Sequence, residues 1–231
     1  MTATIAPNTI LVDRSNVQDR LNDYKKTIEF YLNHTDLPIY FIENSAYDLS
    51  EDKEFKAFTQ NVNFNIIRKE AAPDTSKGKG YQEFYLLDDV VKNHITHPYF
   101  FKVTGRYIVE NIGDIISQVR GDLSIDQHKK MRVAITGFFG VRRDFYLKNF
   151  SNLFKGVDDA KGVFIEHIIY NRLQSSELRN KSELLPLNPL YKGISGSHGN
   201  SMERNPYKMM IRKIERSANR ILGIRQFLVE Y

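Results

Sequence analysis

Short runs rich in β-branched and aromatic residues alternate along this chain with longer stretches of helical periodicity, and that alternation narrows the fold more than any other feature. "TILVDR" (residues 9–14), "PIYFIENS" (38–45), "VNFNIIRKE" (62–70) and "FFKVTGRYIVENI" (100–112) read as strands, and "MRVAITGFFGVRRDFY" (131–146) as a fifth running into a helix. Between the first two, "SNVQ" forms a capping box in which Ser15 bonds forward and Gln18 back. Val17, Leu21, Tyr24, Ile28 and Tyr31/Leu32 then recur at helical spacing as far as Asn33. Tyr81, Phe84, Leu87 and Val91 mark a helix from about 81 to 94, "GVFIEHIIYNRLQ" (162–174) another, and a basic helix over about 206–222 follows. Strand and helix in repeated succession with short links predict an α/β layered fold, a mixed and mostly parallel sheet flanked by helices, as one domain over 1–231.

At 231 residues such a domain buries a proper core. There is no cysteine, so neither disulfides nor thiolate chemistry enter, which fits a reducing compartment. No basic stretch followed by an apolar block opens the chain, and no apolar run approaches the roughly 20 residues that span a bilayer. The expected location is cytoplasmic, with peripheral contact at a membrane face. The net charge of +5 and a pI near 9.2 favour anionic partners.

In open α/β sheets ligands sit beyond the carboxyl ends of the strands. Three predicted strands end in polar groups there: Asp13 and Arg14; Glu43, Asn44 and Ser45; and Lys102, Thr104, Gly105 and Arg106. Each tip alone reads as a solvated turn; together they point to a pocket.

Several motifs carry two readings. "SKGKGYQE" (76–83) places Lys77, Gly78 and Lys79 before a helix whose amide end can hold an anion, though it lacks Walker A spacing; the plain alternative is a surface loop. "YKGISGSHGNS" (191–201), with Gly193, Gly196 and Gly199, is either an anion nest or an ordinary loop, and its His198 can meet a phosphate or a metal. Glu166 lies in the first turn of its helix, where the dipole favours the carboxylate. It is either a base for a hydroxyl or a favourable helix-start charge. Arg142 and Arg143 either fork an anion or pair with Asp144. In the last helix, Met210, Ile214, Ala218 and Ile221 form a stripe expected to cover the sheet, leaving Lys208, Arg212, Arg216 and Arg220 solvated or set against an anionic membrane.

With these elements in order, the chain resembles bacterial GT-A-type nucleotide-sugar glycosyltransferases that build capsule or lipopolysaccharide glycans. The resemblance spans nearly the whole chain and rests on "VDR", "PIYFIENS", "KGKGYQE", "FFKVTGRY", "TGFFGVRRDFY", "FIEHIIYNRL" and "YKGISGSHG". It implies a GT-A-like (Rossmann-like) fold, a nucleotide-sugar donor, a glycan or lipid-linked acceptor and inverting transfer. By this resemblance Asp13, Arg14, Glu43, Asn44 and Ser45 frame the nucleoside, while Lys77, Gly78 and Lys79 lie near the base, ribose or diphosphate. Lys102, Thr104, Gly105 and Arg106 face the diphosphate and sugar. Glu166 activates the acceptor hydroxyl, and the loop with Gly196 and His198 closes over the phosphates.

One departure stands out. The Asp-x-Asp motif that holds a divalent ion in this family is absent, "KVTGR" takes its place, and neither Asp88-Asp89 nor Asp158-Asp159 replaces it. Lys102 and Arg106 are the expected substitute for the metal, with His198 the first ligand should a metal bind. Two rival classes are a basic nucleic-acid binder, which needs aromatics interleaved with cations on an open face where these follow core periodicity, and a non-catalytic nucleotide or glycan module.

Overall fold

The computed structural model of the chain describes residues 1–8, 13–193 and 206–222. In chain order its first half runs Thr2–Ala3 (β1), Val17–His34 (α1), Ile39–Glu43 (β2), Lys53–Phe58 (α2), Phe64–Arg68 (β3), Lys79–Asn93 (α3) and Tyr99–Val103 (β4). Next come Ile108–Val109 (β5), Ile112–Gln118 (α4), Leu123–Ser124 (β6), Gln127–His128 (β7), Val133–Ala134 (β8), Phe138–Arg142 (β9) and Arg143–Asn149 (α5). Ile165–Leu173 (α6), Ser182–Glu183 (β10), Tyr191–Lys192 (β11) and Pro206–Ile221 (α7) complete the described α-helices and strands. This is a mixed α/β architecture.

The first described strand comes earlier than the one expected from the sequence pattern, which lies largely outside the described residues. β1 is Thr2–Ala3, paired with β2 through Thr2↔Ile42, whereas residues 9–12 of "TILVDR" lie outside the described residues. The cap of α1 also moves by one residue. The Asn16 side chain, not that of Ser15, accepts the Asp19 N–H at 3.0 Å, and Gln18 donates to Asn22 instead of reaching back. Leu21, Tyr24, Ile28 and Tyr31 give the helix its buried stripe. It stops where Thr35 turns extended, its N–H and hydroxyl both donating to the Tyr31 carbonyl at 3.0 Å.

β1, β2 and β3 form a parallel sheet in that order. Thr2 also makes a parallel bridge to Thr104, just past β4. Beyond β4 lie β9, antiparallel to it, then β6, antiparallel to β9, then β10, parallel to β6. Through the Thr2–Thr104 bridge the strand order reads β3-β2-β1-β4-β9-β6-β10, and β9 alone runs against the rest. Two short antiparallel ribbons, β5 with β11 and β7 with β8, stand beside it.

Neighbouring residues on one strand point to opposite faces. Phe41 and Phe138 join Tyr24, Ile28 and Phe55 on one side, under α1, α2 and α4. Ile42 and Phe139 join Phe84, Val90 and Tyr146 on the other, under α3, α5 and α6. These aromatics therefore fill the two interior layers. Among the described residues no helix is long and apolar enough to cross a membrane.

The chain steps outward from β1 to β2 and β3, then returns to the far side of β1 as β4. Strand order thus reverses between β1 and β4, and such a switch point opens a crevice beyond the strands' carboxyl ends. Gly105 makes the closeness possible: its N–H donates to the Thr2 carbonyl at 2.8 Å. A Cβ there would sit 2.8 Å from that oxygen and 3.0 Å from the Tyr24 ring.

Gly105→Ala is therefore expected to lower unfolding stability by roughly 1–3 kcal/mol, the range for overpacking a tight site. Urea denaturation of the two proteins checks this, and an unchanged midpoint would remove Gly105 from its role at the junction.

Candidate functional site

A hollow of about 370 Å³ lies beyond the carboxyl ends of β1, β2 and β4, within the size range of small-molecule sites. β1 and its extension contribute Thr2 and Thr4, the turn after β2 Asn44 and Ser45, and the turn after β4 Thr104 and Arg106. Lys79, Gln82 and Glu83 enter from α3, Thr136 from the approach to β9, and Glu166 from the first turn of α6.

Of the residues expected from the sequence, Asn44, Ser45, Lys79, Thr104, Arg106 and Glu166 meet in this one hollow. Asn44 accepts the Thr4 hydroxyl at 2.6 Å, and the Ser45 hydroxyl accepts the Ala6 N–H at 2.9 Å. Glu166 accepts the Thr136 hydroxyl at 2.9 Å. Arg106 is buried, at 7% exposure.

The others stand elsewhere. Glu43 is fully buried, and its carboxylate gathers the N–H groups of Ile5 (3.1 Å) and Ser45 (2.9 Å) and the Ser45 hydroxyl, so it shapes the rim from behind. Arg14 does not line the hollow because Asp23 holds it at 2.6 Å, with Asp19 at 3.6 Å. Asp13 is exposed in the turn ahead of α1, its carbonyl accepting the Ser15 N–H. Gly105 acts through its backbone at the β1–β4 junction. Gly196 and His198 lie outside the described residues. Arg142 pairs with Asp144 at 3.0 Å, and Arg143 donates to the carbonyls of Val91 and Lys92 at the end of α3.

The glycine-lysine motif before α3 behaves differently from expectation. Its amide end is occupied by the chain's own carboxylate: Asp159 accepts the Gly80 N–H at 3.0 Å. Gly78, at φ +94°, presses against Asp159 so closely that a Cβ would come within 2.4 Å of its oxygen. Burial pushes the Asp159 carboxyl up, and the Gly80 amide and Lys79 pull it back. Lys77 sits over the Tyr81 ring at 4.9 Å. Of those three predicted positions, Lys79 reaches the hollow.

Lys102 is the main correction. It was expected to face a leaving group, yet its side chain is 1% exposed and its ammonium lies beneath the hollow. It contacts the Glu83 carboxylate at 2.7 Å and donates to the Thr136 carbonyl at 2.7 Å and the Thr104 hydroxyl at 3.1 Å. The three ammonium protons thus have three oxygens. Glu83 also accepts the Thr2 hydroxyl at 2.5 Å. Burial alone would raise the Glu83 carboxyl; the charge and hydrogen bond of Lys102 outweigh it and hold the group below the ordinary glutamate range.

Among the residues of the hollow not singled out as site residues from the sequence are Thr2, Thr4, Arg20, Tyr24, Glu83 and Thr136. Arg20 donates to the carbonyls of Thr4 (2.6 Å) and Arg14 (2.9 Å) and to the Tyr24 hydroxyl (3.2 Å). Burial first, and then the neighbouring charge of Arg106, hold its guanidinium below its usual value against the pull of Tyr24. A signal existed, because Arg20 continues the inward spacing of Val17, Tyr24 and Tyr31, where a cation needs a reason. Among the described residues no group of three or more His, Asp or Glu converges as a metal site.

No protein-family model matches the chain, and no curated protein matches it. Among solved structures it is similar to HddC from Yersinia pseudotuberculosis, at 11% identity over 62% of this chain and 69% of that one. The TM-score is 0.33, too slight a likeness to carry fold or activity across.

Replacing Lys102 with Met leaves Glu83 without its buried counter-charge, and a loss of roughly 3–5 kcal/mol is expected at neutral pH. Because the folded-state value of Glu83 is depressed, its contribution is complete above the unfolded value of about 4.3 and fades as pH falls through the lower folded value. The gap between wild type and Lys102→Met should therefore narrow in acid. Urea midpoints across pH 2–7 measure it, and a gap constant with pH would dissociate Lys102 from Glu83.

Proposed function

We propose that the chain is a group-transfer enzyme acting on a nucleotide-activated substrate. More narrowly, we infer a glycosyltransferase of the GT-A type that moves a sugar from a nucleotide-sugar donor to a glycan or lipid-linked hydroxyl with inversion. One observation carries this reading. Arg106 and Glu166, far apart in sequence, line one hollow at the switch point of an open α/β sheet.

In this reading the nucleoside lies against Asn44 and Ser45, and the diphosphate faces Arg106, Arg20 and Lys79. The acceptor oxygen attacks the anomeric carbon while its proton passes to the Glu166 carboxylate. The bond from that carbon to the diphosphate oxygen breaks, and the electron pair leaves with the nucleotide, where fixed guanidinium groups meet the growing charge. Thr136, donating to Glu166, fixes which carboxylate oxygen stays open to the acceptor. Lys102 supports this arrangement from below by holding Glu83, Thr104 and Thr136 in register. The cations take the place that a divalent ion fills where an Asp-x-Asp motif is present.

A thermal-shift screen against nucleotides and nucleotide sugars should find a ligand. At 100 times its dissociation constant it would stabilise by roughly 2.7 kcal/mol. Glu166→Gln should then lower transfer by about 10²–10⁴-fold with donor binding retained. Arg106→Met should weaken nucleotide diphosphate binding by roughly 1.5–3 kcal/mol. Turnover by Glu166→Gln at the wild-type rate would remove the base from the mechanism. EDTA should leave the rate unchanged, and a strict manganese requirement would overturn the metal-free version.

A further inference from the structure

α7 is amphipathic in sequence and sits the wrong way round for a helix that covers a core. Its stripe was expected to lie on the sheet. Instead Arg216 faces inward, 8% exposed, donating to the Leu185 carbonyl at 2.7 Å and to the Asp126 carboxylate. Asp126 in turn accepts the Leu185 N–H at 3.2 Å, so the anchor is a buried, bridged ion pair. With Arg216 pointing in, the opposite side of the helix points out. Met210 is 64% exposed, Ile211 40%, Ile214 57%, Ile221 85% and Leu222 70%. Their spacing of three, four and seven residues puts them on one stripe. Elsewhere among the described residues, exposed large apolar side chains are Leu37, Val62, Met131 and Val163, well separated in sequence.

The charge of this segment is as uneven as its exposure. Residues 206–222 hold Lys208, Arg212, Lys213, Arg216 and Arg220 against Glu215, a net of +4 where the whole chain has +5. Asp126 neutralises Arg216 inside, leaving a net of +3 on the helix. Exposed apolar side chains with an excess of cations on the same helix match a surface that is apolar below and anionic above, which is the interface of an anionic bilayer.

We propose that α7 docks the protein onto anionic phospholipid, its Met210–Ile214–Ile221 stripe entering the headgroup boundary and its cations meeting lipid phosphates. The proposal does not depend on the transferase reading, because it concerns a different face and a different measurement. The test is co-sedimentation of the full chain with vesicles of phosphatidylcholine alone and of phosphatidylcholine with phosphatidylglycerol. The mixed vesicles should carry the protein down, the neutral ones should not, and salt should release it. Ile211→Asp with Ile214→Asp should lower partitioning by at least about tenfold, given the cost of placing charge in an apolar layer. Arg212→Glu with Lys213→Glu should do the same through charge, at about fivefold or more for each cation reversed. Circular dichroism confirms that both variants stay folded. Equal binding to neutral and anionic vesicles would overturn the proposal, as would no binding to either. A concentration-dependent dimer abolished by the two aspartates, with no vesicle binding, would overturn it in favour of a second copy of the chain.

Discussion

The sheet is held as one surface by the contact between Thr2 and the turn after β4, and the hollow takes its shape from that contact. Gly105 brings its N–H onto the Thr2 carbonyl because no side chain intervenes. On the same residue, the Thr2 hydroxyl reaches the Glu83 carboxylate, which the Lys102 ammonium also holds. One acid and one cation therefore tie β1, β4 and α3 to a single point, and Thr136, joined to Lys102 by its carbonyl, extends the tie to Glu166. An ion pair with its protons satisfied in this way fixes relative positions more than it adds net stability, since burying two charges costs about as much as their attraction returns. Such positional control is what a site needs from its floor.

This also explains why a cation at a strand end can be misread. Lys102 and Arg106 look alike in "FFKVTGRY", two basic residues where a strand leaves the core. Lys102 is still inside β4, paired with Phe139 of β9, so its side chain projects from the sheet face under α3 and finds Glu83. Arg106 lies three residues past the strand, beyond Gly105, where the backbone has turned and the side chain meets the hollow. The difference is set by the last ladder pair, and no local pattern in the sequence announces it.

The same division separates what was legible from what was not. β2, β3, α1, α3 and α7 are long enough to show their period, and their residues announced them within a residue or two. α6 starts three residues later than its pattern, and the run read as a strand over 100–112 keeps that strand only as far as Val103 before β5 and α4 divide the rest. β1, β6 and β10 have two residues each, too few to alternate, and exist because neighbours pair with them. The convergence of Asn44, Ser45, Thr104 and Arg106 followed from strand tips in an α/β sheet, whereas Glu166, in the first turn of α6, was expected there from the family resemblance alone. The filling of the helix end by Asp159 did not, because it brings residue 159 to residue 80 through tertiary contact. α7 showed its amphipathicity plainly, but which side faces the body turned on one distant carboxylate, Asp126.

The hollow sets Arg20 beside Arg106, two like charges whose repulsion is one reason the Arg20 guanidinium is held below its usual value. Side chains free to move would swing apart. Arg20 cannot, because Thr4, Arg14 and Tyr24 together engage all three of its nitrogens. The framework thus holds the two guanidinium groups close at the wall of the hollow, and Lys102 matches the neighbouring Glu83 from below. A wall built in this way lowers the energy of a bound anion without moving any group toward it, which is the electrostatic condition that the proposed transfer requires at its leaving group.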